Sequence, residues 1–196
     1  GGRSGSEFHV KEEFHRLDLF SISPGLRGRS PLAVQIWWLA QATLFRCSPQ
    51  IAYGFRRWLL RLFGAKVGKK VLIRPSATIT YPWKVSIGDY SWIGDDVVLY
   101  SLAPIHIGDH VVVSQRSYVC AADHDPSLRA FPIRERPVRI EHGAWIAADV
   151  FIGPGVTVGA GAVVGARSSV FKPVPAAMIC HGNPCRPVRR RTMVDA

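Results

Sequence analysis

Aliphatic residues recur at every sixth position along most of the chain after residue 64. The spacing holds if two residues are skipped after Ile79 and again after Leu99, and it stops between Val119 and Ile140. The fifteen positions are Val67, Ile73, Ile79, Ile87, Ile93, Leu99, Ile107, Val113, Val119, Ile140, Ile146, Ile152, Val158, Val164 and Val170. A helix would repeat every 3.6 residues and an antiparallel sandwich would alternate along longer strands, so neither explains a period of six.

The residue two places before each of these positions also has a side chain that can be buried in a core. All are small or β-branched: Ala65, Val71, Ala77, Val85, Ser91, Val97, Ile105, Val111, Ser117, Val138, Ala144, Val150, Val156, Ala162 and Ser168. In a strand, residues i−2 and i point to the same side, so each hexad offers two inward side chains. The pattern predicts a parallel β-solenoid with three short strands to a coil, a turn after each strand, and stacked coils that bury a continuous core.

The turns of this solenoid carry two further signals. Glycine directly follows the second inward residue at Gly68, Gly88, Gly94, Gly108, Gly153, Gly159 and Gly165, where we expect a corner that needs a permissive backbone. The two extra residues near Tyr81-Pro82 and near Ser101-Leu102 lie 20 positions apart. We therefore expect them to stack at one corner of the prism.

The interruption of the repeat reads VCAADHDPSLRAFPIRERPVRIEHG, from Val119 to Gly143, and contains Asp123-His124-Asp125. A stacked prism leaves no room for a mobile side chain within its walls. We expect residues 121–137 to leave the solenoid as an active-site loop that carries His124. Histidine suits proton transfer because its ordinary pKa of about 6.5 is near working pH.

The chain divides into four parts on these patterns. Residues 1–8, GGRSGSEF, are typical of vector-derived sequence, and residues 65–171 form the β-helix domain. For residues 9–64 the sequence predicts an N-terminal extension that contains two helices. Each is preceded by Ser-Pro, and the second ends at Gly64. Two roles are open for it: capping the first coil, which we favour, or docking on a membrane surface through Trp37, Trp38 and Trp58. Residues 172–196 form an exit segment and basic tail, whose prolines and glycine disfavour another regular strand.

Charge and cysteine usage narrow the partners and the compartment. The net charge of +11, with Arg and Lys crowded into residues 46–70 and 186–191, favours anionic partners. The four cysteines form no CxxC pair, which is typical of reduced thiols in a cytoplasmic protein. The longest apolar run is about 15 residues, short of the roughly 20 that span a bilayer, and no signal peptide is visible. No nucleic-acid-binding motif is present, so we expect no nucleic-acid partner.

The hexads, the interruption with its histidine and the exit HGNPCRPVRR together resemble the left-handed β-helix acyltransferases. The stretches VQIWWLAQATLFRCSPQ, LLRLFGAKVG, IRPSATITYPWKVSIGDYSWIGDDV and VVGARSSVFK are similar to the bacterial colanic acid biosynthesis acetyltransferases and their exopolysaccharide relatives. The resemblance runs from about Ser23 to Arg190. It implies an all-β, left-handed parallel β-helix, a homotrimer with active sites between neighbouring subunits, and acetyl-CoA as donor.

The resemblance also implies roles for individual residues. His124 is the expected general base, and Asp125 either fixes the imidazole tautomer or contacts the acceptor, with Asp123 the weaker candidate. The pantetheine arm of CoA is expected to pass Trp145, Ala148 and Ala166, with its phosphates near Lys172, Arg186 and Arg189. A cluster of loop arginines, Arg129, Arg134, Arg136 and Arg139, is expected to bind phosphate or acidic sugars of the acceptor, or else a neighbouring subunit.

The expected function is O-acetyl transfer from acetyl-CoA to a sugar hydroxyl of an exopolysaccharide repeat unit or its lipid-linked precursor, without a covalent intermediate. We place it in the cytoplasm, at the inner face of the cytoplasmic membrane. Two alternatives stay open: acetylation of a small soluble acceptor such as a free sugar, serine or an antibiotic, and a non-catalytic anion-binding solenoid. A catalytic metal is not expected, because His106 and His110 lack the H-x4-H spacing of the carbonic anhydrases that share the solenoid.

Overall fold

The structure, a computed structural model, describes residues 14–194. The interpretation of residues 1–8, the first residues of the helical extension (9–13) and the last two residues (195–196) lie outside the described part. Two α-helices come first, α1 (Pro31–Ala40) and α2 (Tyr53–Leu62), and a π-helical turn at Gln41–Phe45 continues α1. Short 3-10 turns lie at Leu17–Leu19 and Pro82–Lys84. Among the described residues, no helix has both the length and the apolar character needed to cross a bilayer.

The strands form three sheets, one on each face of a prism, and every pairing within them is parallel except that of the last strand. Sheet A contains β1 (Lys66–Val67), β4 (Val85–Ile87), β7 (Ile105–Ile107), β12 (Val138–Ile140) and β15 (Thr157–Val158). Sheet B contains β2 (Leu72–Ile73), β5 (Trp92–Ile93), β8 (Val112–Val113), β13 (Trp145–Ile146), β16 (Val163–Val164), β18 (Met178–His181) and β19 (Arg186–Arg190). Sheet C contains β3 (Thr78–Ile79), β6 (Val98–Tyr100), β9 (Tyr118–Cys120), β14 (Phe151–Ile152) and β17 (Ser169–Val170). A separate hairpin pairs β10 (Ala122–His124) with β11 (Ile133–Glu135).

The core of the solenoid is the set of inward positions predicted from the hexads. All fifteen aliphatic positions and all fifteen positions two residues earlier are buried, including Ser91, Ser117 and Ser168. Each buried serine donates to a backbone carbonyl, as Ser117 does to Ala147 at 2.8 Å, so no hydroxyl is left unsatisfied. The parallel solenoid with three strands per coil is therefore confirmed.

The predicted reason for the glycines is wrong. The seven glycines after the inward residues do not adopt the left-handed conformation. That conformation is taken two residues after each of them, largely by other residue types such as Tyr90, Asp96 and His110. The glycines are needed because consecutive coils approach closely there. A Cβ built on Gly88 would lie 2.6 Å from the backbone nitrogen of Asp109, and one on Gly108 would lie 2.7 Å from that of His142.

Replacing Gly88 by alanine is expected to destabilise the protein by about 1–3 kcal/mol, because the obstructing atoms belong to the backbone of the next coil. The matched control is Gly54→Ala, where the new Cβ would meet only the Arg57 guanidinium, at 3.8 Å, within α2. That change should instead stabilise by up to about 1 kcal/mol. Chemical denaturation at one protomer concentration measures the free energy of unfolding of both variants. Equal changes in the two would contradict the explanation that Gly88 is needed because the next coil approaches it closely.

The extra residues of the first two coils stack at one corner, as predicted. The backbone N–H of Tyr81 donates to Ser101 Oγ at 2.8 Å, and Ser101 Oγ donates back to the Tyr81 carbonyl at 3.0 Å. In the third coil the N–H of Ala121 donates to the Tyr100 carbonyl at the same corner. The long interruption is thus an enlargement of a corner that already carries two-residue insertions in the coils before it.

The helices cover the open edge of the first coil. Each strand of that coil has a carbonyl that no neighbouring coil can reach, and a side chain from the helices donates to it. The pairs are Arg61 with Val67 of β1, Arg56 with Ile73 of β2, and Trp37 with Ile79 of β3, at 2.9, 2.6 and 2.8 Å. Gln41 Oε1 also accepts from the N–H of Ile79 at 2.7 Å. These contacts are those of an edge cap.

The exit segment differs from the expectation that it would contain no regular strand. β18 joins sheet B beside β16 in parallel, and β19 returns antiparallel to β18. The prolines do not prevent this pairing because of where they lie. Pro173 and Pro175 precede β18, Pro184 is in the connecting turn, and Pro187 is on the edge strand, where a missing N–H is tolerated.

Candidate active site

The interruption that contains His124 is an antiparallel hairpin projecting from the prism corner. β10 pairs with β11 so that Ala122 lies opposite Glu135, Asp123 opposite Arg134, and His124 opposite Ile133. At its base the N–H of Arg136 donates to the Ala121 carbonyl at 2.9 Å. The strand pairing makes the base of the predicted loop an ordered extension, so the side chains on it have defined directions.

The imidazole of His124 is hydrogen-bonded to, and stacked on, Phe131. Nδ1 lies 2.7 Å from the Phe131 carbonyl oxygen, and the two rings stack with centroids 4.3 Å apart and planes 6° apart. A carbonyl only accepts hydrogen bonds, so Nδ1 carries the proton and Nε2 has its lone pair available in the neutral ring. Phe131 has φ of 47°, a left-handed conformation that is unusual for a bulky residue and is typical of functional sites.

The segment before α1 lies across the same hairpin. The N–H of Arg16 donates to the Arg129 carbonyl at 2.7 Å, and the His15 ring stacks on Phe131 with centroids 4.5 Å apart. Phe20 contacts His124 at a centroid distance of 5.8 Å. The His124 ring therefore lies between two aromatic side chains that restrict its rotation.

The two aspartates beside His124 do not contact its ring within this chain. Side chains alternate along a strand, so Asp123 and Asp125 point away from the face on which His124 lies. Asp123 Oδ1 accepts from Arg134 Nε at 2.7 Å, while Asp125 Oδ1 accepts from the N–H and the hydroxyl of Ser127 at 2.9 and 2.5 Å. These Ser127 bonds, with smaller help from nearby arginines, lower the pKa of Asp125 from its ordinary value. Asp125 was expected either to fix the tautomer of the His124 imidazole or to contact the acceptor. In this structure the group bonded to Nδ1 of His124 is the Phe131 carbonyl, not Asp125.

The arginines predicted to meet the acceptor are distributed on and around this hairpin. Arg134 is half-buried and bonded to Asp123, which raises the pKa of its guanidinium. Arg136 lies more exposed, with Nε 3.7 Å from Asp123 Oδ2. Arg129 is at the exposed tip, and Arg139 lies beside His106 on the outer face of sheet A. Arg134 and Arg136 therefore share one carboxylate, whereas Arg139 lies outside the hairpin.

The residues predicted to bind the cofactor lie on the later coils. Trp145 is half-exposed on β13, and its indole N–H donates to Ser114 Oγ at 3.1 Å. Ala148 and Ala166 lie on consecutive coils at the corner between sheets B and C, where the N–H of Arg167 donates to the Ala148 carbonyl. The three predicted phosphate-binding cations lie in two places. Arg186 and Arg189 are exposed on β19, whereas Lys172 follows β17 on the far side of sheet C.

A groove of 640 Å³ runs over the outer face of sheet B. Its walls include the half-exposed indoles of Trp92 and Trp145, with Arg74 and Arg191 at its margins. His124 is not among its lining residues. Within one chain, then, His124 and this groove are separate features.

Two other histidines in the described part of the chain, His106 and His110, have partners of their own. His106 Nδ1 lies 2.8 Å from Ser86 Oγ, and its pKa is lowered by burial and by the nearby charges of Arg139 and Lys66. His110 stacks on Tyr90 with centroids 5.1 Å apart. Between residues 14 and 194, no group of three or more His, Cys, Asp or Glu side chains is arranged to hold a metal ion.

Four features of this site went unpredicted. They are the Phe131 carbonyl, the Phe20 and His15 contacts, the hairpin pairing and the sheet B groove. A weak signal existed for the hairpin, because the turn-forming residues Asp125-Pro126-Ser127 stand between the two stretches that pair. No sequence signal indicates that the carbonyl of Phe131 faces His124.

Comparison with known proteins decides the family. No protein-family model matches the chain. The Escherichia coli K12 protein named colanic acid biosynthesis acetyltransferase WcaF is 55% identical over 176 residues, which cover 90% of this chain and 97% of the relative. The chain belongs to the colanic acid biosynthesis acetyltransferase family. The resemblance noted from the sequence is therefore confirmed, and the protein is an acetyltransferase.

Solved structures of hexapeptide-repeat acetyltransferases match this family member over most of its length. The acetyltransferase VCA0836 of Vibrio cholerae O1 biovar eltor, complexed with acetyl-CoA, is 30% identical with a TM-score of 0.73, covering 86% of this chain and 88% of the other. A maltose O-acetyltransferase of Clostridium difficile 630 is 28% identical with a TM-score of 0.75, covering 84% and 90%. These likenesses confirm the left-handed parallel β-helix of this acetyltransferase.

Proposed function

We propose that the protein transfers an acetyl group from acetyl-CoA to a sugar hydroxyl of an exopolysaccharide repeat unit or its lipid-linked precursor, with His124 as general base. The observation that carries this proposal is the bond from His124 Nδ1 to the Phe131 carbonyl, 2.7 Å long. It leaves Nε2 as the basic nitrogen and can stabilise the imidazolium that forms during the reaction. The acetyl-CoA complex of the Vibrio relative and the name of the Escherichia coli relative support the donor and the acceptor class.

The proposed chemistry is one direct transfer. Nε2 of His124 accepts the proton of the sugar hydroxyl as its oxygen attacks the thioester carbonyl. The C–S bond then breaks as the carbonyl re-forms, and the imidazolium returns the proton to the departing thiolate. The products are the sugar acetate and CoA, so protons balance without a covalent enzyme intermediate.

The proposed site needs more than one copy of the chain. His124 lies on a hairpin at one corner of the prism, while the large groove lies on sheet B and is not lined by His124. The homotrimer implied by the resemblance would let the hairpin of one subunit meet a groove of the next. An aromatic ladder on sheet C, formed by half-buried Tyr118 and Phe151 and exposed Phe171 with centroids 6.0 and 5.7 Å apart, supports contact between subunits.

The proposed substrate contacts follow from charge and position. Trp145, Ala148 and Ala166 would flank the pantetheine arm, and the cations of Lys172, Arg186 and Arg189 would meet the phosphates of CoA. Arg129, Arg134 and Arg136 would meet phosphate or acidic sugar on the acceptor, beside Asp125. This acceptor class supports a location in the cytoplasm at the inner membrane face. A second candidate, transfer to a small soluble sugar, is favoured by the likeness to the maltose O-acetyltransferase.

Calorimetric titration of acetyl-CoA, followed by thiol release with candidate acceptors, tests the proposal. We expect binding of acetyl-CoA and faster thiol release with an exopolysaccharide repeat unit or its lipid-linked form than with maltose. Absence of acetyl-CoA binding would overturn the enzymatic proposal. Faster turnover of maltose would overturn the acceptor assignment and support the second candidate.

A further inference from the structure

The helical cap has an outer surface that the capping role does not explain. One face of α1 is buried on the solenoid through Val34, Trp37 and Ala40. The opposite face exposes Leu32, Ile36 and Leu39, of which Leu32 and Leu39 are 70% and 67% exposed. The spacing i, i+4, i+7 makes these three residues a single stripe along the helix. α1 carries no charged residue, so it is apolar on both its buried and its exposed face.

The second helix repeats the same arrangement. Its buried face consists of Arg56, Leu59 and Leu60. The exposed stripe consists of Ile51, just before α2, with Phe55, Trp58 and Leu62, again at spacing i, i+4, i+7 and i+11. Ile51 is 86% exposed and Leu62 is 62% exposed, and the rings of Phe55 and Trp58 stack at 5.9 Å. Single exposed apolar residues are ordinary, but two full helical stripes are not.

Both stripes point away from the solenoid at the same end. α2 contacts β1 and β2, and Trp37 of α1 bonds to the Ile79 carbonyl on β3, so both helices lie on the first coil. The faces opposite these contacts are therefore directed outward from that end of the prism. Trp37 is buried and acts as an anchor of the cap, so the predicted docking role for Trp37 is wrong, while Trp38 and Trp58 are exposed.

The stretch of sequence that carries these stripes has ionisable side chains of one sign. Residues 19–88 contain no aspartate or glutamate and eleven basic residues: Arg27, Arg29, Arg46, Arg56, Arg57, Arg61, Lys66, Lys69, Lys70, Arg74 and Lys84. Within residues 14–194, the carboxylates that pair with this segment are Asp95, with Arg74, and Glu135, with Lys84. Arg57 and Arg61 donate to backbone carbonyls, which leaves their charge uncompensated. An apolar face with tryptophan, surrounded by cations, is complementary to an anionic bilayer surface.

We propose that the outer stripes of α1 and α2, with the surrounding cations, dock the enzyme on an anionic phospholipid bilayer. The apolar side chains enter the boundary between head groups and acyl chains, while Arg46 and Lys69 remain at head-group level. The proposal rests on the proposed function in one respect: a cyclic trimer directs three such caps to the same side, so docking is multivalent. Docking would hold the acetylation site beside a lipid-linked acceptor.

Cosedimentation with vesicles tests the surface directly. Wild-type protein is expected to bind vesicles of phosphatidylglycerol and phosphatidylcholine, to bind pure phosphatidylcholine much less, and to be released by salt. The variants Ile36→Ser/Leu39→Ser and Trp58→Ser/Leu62→Ser should each weaken binding about tenfold or more, since each removes two apolar side chains from the interface. Met193→Ser/Val194→Ser is the control, because these two apolar residues are even more exposed, at 76% and 87%, and lie near the other end of the chain.

The outcomes separate docking from its alternatives. Failure of the wild type to bind anionic vesicles, or equal loss in the control variant, overturns the proposal. If the stripe variants change the assembly state in sedimentation velocity while leaving vesicle binding intact, the stripes are contacts between copies and the proposal is also overturned. Acetyl-CoA titration of the same variants should remain at the wild-type affinity, so failure of docking is distinguishable from failure of the proposed enzymatic function.

Discussion

Replacing His124 by alanine is expected to lower the rate of acetyl transfer by about 10²- to 10⁴-fold, the usual contribution of a positioned general base. The fall should appear in kcat, because His124 acts on the hydroxyl proton and is not among the residues proposed to bind CoA. Acetyl-CoA affinity, measured by calorimetry, should stay at the wild-type value. Thiol release at saturating acceptor and acetyl-CoA gives the rate.

Two controls make this result specific to the base. His142 is an exposed histidine at a corner of the solenoid, and His142→Ala should retain the wild-type rate. His124→Gln keeps a polar side chain of similar reach but has no basic nitrogen, so it should be as slow as the alanine variant. Wild-type turnover by either His124 variant would exclude His124 as the base and leave the fold assignment intact.

The solenoid was predictable because its information is local and repeated. Each strand must supply an inward pair of residues, and the strands recur every six residues. Positions such as Ile87 and Ile93 therefore reveal the period without knowledge of any contact. The reason why glycine is required at the corners was not predictable in the same way. Gly88 is needed because Asp109 of the next coil approaches it, and that distance depends on stacking rather than on the local backbone.

The candidate site was only partly predictable, for a related reason. The break in the repeat marks where the chain leaves the wall, and it contains His124. The partner of the imidazole is a backbone carbonyl, and every residue has one, so sequence cannot single out Phe131. The directions of Asp123 and Asp125 follow from strand pairing that the break itself does not reveal. The groove on sheet B is built from several coils, so no single stretch of the sequence reveals it.

Replacing Arg56 by alanine is expected to lower the free energy of unfolding by about 3–5 kcal/mol, because bonds from a charged donor contribute about 1.5–3 kcal/mol each and do not add fully. The Arg56 side chain is fully buried. It donates to the carbonyls of Ile73, Pro49 and Gln50 and to Ser48 Oγ, at 2.6, 2.8, 2.6 and 2.7 Å. Burial lowers the pKa of its guanidinium, and these four bonds offset the cost of burying the charge.

A graded series of arginine variants separates this role from the general effect of removing positive charge. Arg57 makes one hydrogen bond, to the Val71 carbonyl, so Arg57→Ala should lower the free energy of unfolding by about 1 kcal/mol. Arg46 is exposed, so Arg46→Ala should lower it by less than about 0.5 kcal/mol. Chemical denaturation without lipid, at one protomer concentration, gives the comparison. Arg56→Lys keeps the charge but lacks the planar fork that reaches several carbonyls, so it should also be strongly destabilised. Equal losses for Arg56→Ala and Arg46→Ala would contradict the edge-cap role, since Arg56 links the segment before α2 to the open strand of the first coil and Arg46 is exposed.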